Sequence, residues 1–167
     1  MRLIRGAVPT AACVAAALAL TGCGGGPSGP KAKDSAVKMA KDANWLAAKY
    51  RGYFKPTASF TVSQDATKPS SCGHGKARYS FAGHQSFTIA GKNYLDITTT
   101  SDSWMKSRGY ALDSDAKPTY EFSMRNSQVL VDKKNHIHLT VKATAASEQA
   151  TTELWTITGQ TDCLRTG

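Results

Sequence analysis

The sequence is short of acid. Twelve Asp and Glu face 21 Lys and Arg over 167 residues, for a formal charge of +9. Few carboxylates leave few candidates for paired acid–base chemistry, and no close pair sits on a recognisable catalytic frame. Aromatic residues are sparse at 8%, while 14 Gly, 6 Pro and 41% apolar residues exclude both a collagen-like repeat and a wholly disordered chain. The length excludes a complete (β/α)8 barrel and most two-domain enzymes. Familiar reaction signatures are missing as well: Gly-x-Ser-x-Gly, a phosphate loop, a dinucleotide fingerprint and His-Glu-x-x-His. Asp113-Ser114-Asp115 opens like a calcium loop, but Pro118 and Met124 stand where Gly and Glu are needed. Neither an enzymatic activity nor a cofactor is expected.

Long apolar runs are also missing, with one exception. Arg2 and Arg5 precede an apolar stretch from Gly6 to Leu20, interrupted only by Pro9 and Thr10. As a helix it would span about 22 Å, short of a hydrocarbon core of about 30 Å, so it reads as an export signal. The separated arginines do not make a twin-arginine signal. The run closes on Leu20-Thr21-Gly22-Cys23, which resembles the lipobox of bacterial lipoproteins. That resemblance implies diacylglycerol on the Cys23 thiol, cleavage between Gly22 and Cys23, and residence on the extracytoplasmic face of the cell membrane. Two buried acyl chains suffice for stable attachment where one is marginal. Loss of residues 1–22 leaves 19 Lys and Arg against 12 acids, a charge of +7.

Residues 23–33 then read as the lipidated Cys and a Gly/Pro-rich tether, with a root-mean-square reach of roughly 17–19 Å over Gly24–Lys33. Residues 34–167 form a single domain. Lys31, Lys33, Lys38 and Lys41 lie near the anchor, where anionic envelope lipid or polymer could attract them. Nucleic acid is not an expected partner, because the basic residues are scattered and the chain is exported. Export also favours a disulfide. With Cys13 discarded and Cys23 lipidated, Cys72 and Cys163 remain as a pair, nothing resembles Cys-x-x-Cys, and a bridge would close a loop of about 90 residues.

Within the domain, Met39, Ala43, Leu46 and Tyr50 recur at helical spacing, which predicts a helix from about Asp34 to Tyr50, capped by Asp34 or Ser35 and ended by Gly52. Lys38, Lys41 and Asp42 point away from that stripe. After Pro56 the period becomes two, in Phe60/Val62 and then Tyr79/Phe81 and Phe87/Ile89 on either side of Gly83. Gln64 to Lys76 is polar, carries Pro69 and two Gly, and reads as a loop. A second helix is expected from about Tyr94 to Arg108, with Tyr94, Ile97, Ser101 and Trp104 or Met105 inward and Gly109 as its stop. Tyr120/Phe122/Met124, Val129/Val131, Ile137/Leu139/Val141 and Trp155/Ile157 alternate as a C-terminal meander with turns at Lys133-Lys134-Asn135 and Ala143 to Thr151. The expected fold is α+β in two layers, both helices on one face of an antiparallel sheet of about five strands.

His136-Ile137-His138 places two imidazoles on one face of a strand, a weak pattern for metal that needs a third ligand which neither His74 nor His84 supplies by sequence. Over its whole length the chain resembles small, largely uncharacterised lipoproteins of high-GC Gram-positive bacteria: lipobox, Gly-rich tether, helix, Cys, a second helix ending Trp104-Met105-Lys106-Ser107-Arg108-Gly109-Tyr110, sheet and terminal Cys. The resemblance carries over no active site. The leading expectation is a membrane-anchored, non-enzymatic lipoprotein that binds or scaffolds an unknown protein partner in the envelope. The alternative is a carrier of a small apolar or lipidic ligand held between helix and sheet, and the third is metal binding through His136 and His138.

Overall fold

The computed structural model of the chain describes residues 29–88, 95–117, 119–121, 124–125, 127–147 and 149–166. The expected export signal, Cys23 and the first part of the expected tether lie outside them. The described chain has the expected α+β architecture, with eight strands in the main antiparallel sheet rather than about five. Five of these strands have six residues or more, and the other three are two-residue additions.

Helix α1 spans Ala32–Tyr53, and Met39, Ala43, Leu46 and Tyr50 are all at most 1% exposed, as their spacing requires. It begins two residues before Asp34, after an extended Lys31, so Asp34 sits in the first turn rather than at the cap. There its charge opposes the positive end of the helix dipole. Gly52, the expected stop, lies inside the last turn. The helix ends instead at Phe54, whose N–H donates to the Tyr50 carbonyl at 2.8 Å and whose ring packs 4.9 Å from Trp155. Burying that ring draws the backbone out of the helix.

Strands β1 (Lys55–Pro56), β2 (Thr61–Gly73) and β3 (Lys76–Thr88) follow, and β2 and β3 form a long hairpin. Gln64–Lys76, expected as a loop, is mostly strand. Pro69 and the polar residues that argued for a loop are accommodated by register shifts at Val62/Gln64, Asp65/Pro69 and Ser71/Gly73 in a strand that pairs only with β3. Such an edge tolerates both proline and bulges. His74 and Gly75 close the hairpin with φ of 51° and 67°, the positive pair that a two-residue turn of matching twist demands. Tyr79, Phe81 and Phe87 share the single strand β3, which passes through Gly83 beneath Phe60; Ile89 lies outside the described residues.

Helix α2 spans Leu95–Lys106, with Ser101 and Met105 fully buried and Trp104 half-buried. Tyr94 lies outside the described residues, as does the side chain of Ile97. Gly109 ends the turn after α2 with φ of 91°, in line with its expected role. Next come β4 (Ala111–Leu112), β5 (Tyr120–Glu121), β6 (Met124–Arg125), β7 (Ser127–Asp132), β8 (Ile137–Ala145), β9 (Thr152–Thr161) and β10 (Leu164–Arg165). β5 and β6 pair only with each other, so the Tyr120/Met124 segment does not join the main sheet, and Phe122 is outside the described residues.

The main sheet runs β4-β7-β8-β9-β3, with β1 and β2 along β3's other edge and β10 pairing with the start of β3. Ile137, Leu139 and Val141 on β8, and Trp155 and Ile157 on β9, form its covered face. On β7 the alternation is opposite to that expected. Gln128, Leu130 and Asp132 are buried while Val129 and Val131 are half-buried: Leu130 belongs to the core and Asp132 to an internal ion pair on the same face. Helix α1 rests directly on β9: a Cβ at Gly159 would come within 2.7 Å of Leu139 Cδ2 and 2.8 Å of Met39 Sδ. Cys72 and Cys163 are joined as expected, with Cα atoms 5.9 Å apart, fastening the end of β2 to the link between β9 and β10. Among the described residues no helix is long and apolar enough to cross a membrane.

Candidate functional site

The densest concentration of charge lies where α1, the end of α2 and β7 meet. Lys38 and Asp42 are one helical turn apart on α1, and the Lys38 ammonium donates to the Asp42 carboxylate at 2.6 Å. Arg108, in the turn after α2, donates Nε to the same carboxylate at 2.7 Å and adds a second contact through Nη2. Lys38 also pairs with Asp132 at the end of β7, 2.9 Å away, and donates to the Arg108 carbonyl at 3.1 Å. Asn135 completes the shell, donating to Asp132 from its backbone N–H at 3.1 Å and its amide at 2.7 Å. Aromatic faces flank the cations: the Tyr110 ring lies 4.7 Å from Lys38 Nζ and the Trp45 ring 4.6 Å from the Arg108 guanidinium.

Asp42 and Asp132 are almost wholly buried, yet each meets a cation, and two positive charges balance two negative ones. Burial pushes the Asp132 carboxyl up, but hydrogen bonds from Lys38 and Asn135 outweigh it and hold the group below the usual carboxylate range. Burial, reinforced by nearby Asp42, pushes the Tyr110 phenol far above its ordinary value and keeps it neutral. A cluster in which each charge is already answered acts as a latch between helices and sheet. Beside it opens a cleft of about 600 Å³, lined also by Asp34, Val37, Lys41 and Ser107.

The sequence reading missed this cluster by assigning Asp42 to the outer side of α1 together with Lys38. Its one signal was an acid bordering an apolar stripe in a chain with few acids. The consequence for the four lysines expected near the anchor is a correction: Lys38 is committed to Asp42 and Asp132, whereas Lys31, Lys33 and Lys41 remain exposed.

His136 and His138 are brought together, though not as neighbours on one strand face. His136 occupies the turn before β8 with φ of 55°, while His138 is on β8. Asp162 lies between them, its carboxylate 2.9 Å from His136 Nδ1 and 3.3 Å from His138 Nε2. His74 is at the β2–β3 turn, and His84 is on β3. Among the described residues no group of three or more His, Cys, Asp or Glu side chains is arranged to hold a metal ion. Asp113 and Asp115 form a local turn, with Asp115 N–H donating to the Asp113 carboxylate at 3.0 Å.

Between α1 and the sheet, Tyr50 meets Trp155 edge to face, Phe87 packs against Trp155 at a tilt, and the three border a space of only about 10 Å³. Tyr50 is held by a hydrogen bond with Ser101 of α2, and burial raises its phenol far above the ordinary value. Cys23 lies outside the described residues. Comparison of the chain with protein-family models, with curated proteins and with solved structures gives no match.

Proposed function

We propose that the chain is a lipoprotein, attached through diacylglycerol on Cys23 to the extracytoplasmic face of the cell membrane, with a non-enzymatic binding or scaffolding role in the envelope. The observation that carries this reading is the Cys72–Cys163 bridge, a bond that persists in oxidising compartments outside the cytoplasm. It agrees with the export signal and the Leu20-Thr21-Gly22-Cys23 resemblance. A non-enzymatic role is favoured by the ion cluster, whose charges are spent on one another. The carrier alternative needs room for a ligand of several hundred Å³; the roughly 10 Å³ beside Trp155 favours a solid domain that works through its surface. Metal binding at His136 and His138 has Asp162 as an added neighbour but draws no further support.

Fractionation tests the anchor. Wild-type chain is expected in the membrane fraction and labelled by a palmitate analogue, whereas Cys23→Ala is expected to be unlabelled and either unprocessed or released. Equal labelling of both would overturn the reading.

A further inference from the structure

Charge is distributed unevenly over the exported chain. Residues 31–55 hold seven Lys and Arg against Asp34 and Asp42, a net +5 of the +7 that remains without the export signal. Lys38 and Asp42 belong to the ion cluster, which is neutral once Arg108 and Asp132 are included. Left exposed are Lys31, Lys33, Lys41, Lys49, Arg51 and Lys55, with Asp34 as the single acid of this segment that faces solvent. At about 100° per residue, Lys33, Lys41 and Arg51 fall within an arc of roughly 80°, on the side of α1 turned away from Met39, Ala43 and Tyr50. Val37, 61% exposed, shares that arc, and Tyr53, 70% exposed, stands at the end of the helix.

We infer that this basic face of α1 lies against anionic membrane headgroups, so that the domain is docked on the bilayer rather than suspended above it. The inference rests on the lipoprotein reading, because the anchor brings this face to the surface. Seven residues lie between Cys23 and Lys31, eight steps along the chain and a span of at most about 29 Å in any conformation. The segment nearest the anchor, residues 31–55, is therefore the one that holds most of the net charge. Attraction of each Lys or Arg to an anionic leaflet acts within about a Debye length of 10 Å, so confinement by a short anchored segment gives it effect. The long aliphatic stems of lysine, with Val37 and Tyr53 beside them, suit the boundary between headgroups and water.

The test uses the full lipid-modified chain bound to vesicles of phosphatidylcholine alone or of phosphatidylcholine with phosphatidylglycerol, followed by lysine acetylation and mass spectrometry. Docking predicts flotation with both vesicles, but a loss of reactivity of roughly threefold or more at Lys33, Lys41, Lys49 and Lys55 only on the anionic ones, reversed by high salt. Lys68, Lys133 and Lys134, on other elements, serve as controls. Lys33→Glu/Lys41→Glu/Arg51→Glu changes only exposed side chains and should abolish the protection at Lys49 and Lys55 while flotation persists. Flotation without differential protection overturns docking and leaves the lipoprotein reading intact. Protection by soluble poly(glycerol phosphate) but not by anionic vesicles overturns it in favour of a wall polymer. Failure to float with phosphatidylcholine alone overturns the anchor, and the docking inference with it.

Discussion

Asp42 shows how much a single side chain can hold in place. It receives Lys38 from its own helix and Arg108 from 66 residues away, and it is 1% exposed. Asp42→Asn would strand two cations around a neutral amide. The expected loss is roughly 2–4 kcal/mol of stability in urea unfolding, the range for breaking a largely buried pair whose cations are partly solvated. Lys41→Ala, at an exposed position on the same helix, should stay within about 0.5 kcal/mol. A similar effect for both would show that the cluster contributes nothing.

Asp132 adds a dependence on pH. Its carboxyl is held lower in the folded chain than in the unfolded one, so its contribution is complete above the unfolded value of about 3.9 and fades as pH falls through the lower folded value. Asp65, lowered by hydrogen bonds from Thr67, acts in the same direction. The urea midpoint is expected to fall in acid below about pH 4, and Asp132→Asn, weaker at neutral pH, should lose less over that interval. Parallel pH profiles for the two proteins would contradict the assignment. None of this was legible in sequence: the pairing of Asp42 with Arg108 is a product of how α2 ends against α1.

At the scale of elements, legibility followed the strength of periodicity. The Met39-Ala43-Leu46-Tyr50 stripe specified α1 because a helix must cover such a face. The ends of α1 were less legible, since Phe54 leaves the helix to reach Trp155, a tertiary contact with no local signal. The outer half of β2 was concealed for the opposite reason: its Pro, Gly and polar residues are loop-like, and only pairing with β3 makes them a strand. On β7, the valines suggested the wrong face because Leu130, between them, is the residue in the core and Asp132 is buried beside it by Lys38.

Two glycines test this arrangement from opposite sides. Gly159→Ala would drive a methyl into Leu139 and Met39, both fully buried, and is expected to cost about 1–3 kcal/mol. Gly52→Ala meets open space inside the last turn of α1 and should stabilise by up to about 1 kcal/mol in thermal unfolding. Destabilisation at Gly52, or neutrality at Gly159, would contradict the helix boundary or the seating of α1 on β9.

For the whole molecule, the disulfide joins parts of the fold that are distant in sequence. The bridge closes a sequence separation of 91 residues and links the β2–β3 hairpin to the C-terminal strands. Reduction, or Cys72→Ser with Cys163→Ser, is expected to lower stability by up to about 4–5 kcal/mol on the chain-entropy model, read from urea midpoints. An unchanged midpoint would mean the bridge constrains little. If Cys23 is lipidated and the basic face of α1 docks as proposed, the open side of the sheet, with His138, Thr140 and Thr158, would face away from the membrane.

That proposed orientation rests on lipidation of Cys23. Mass spectrometry of the N-terminal peptide from membrane-isolated protein measures it directly. A peptide beginning at Cys23 and bearing diacylglycerol is the predicted result. A peptide that continues upstream of Gly22, with an unmodified Cys23 thiol, would contradict it.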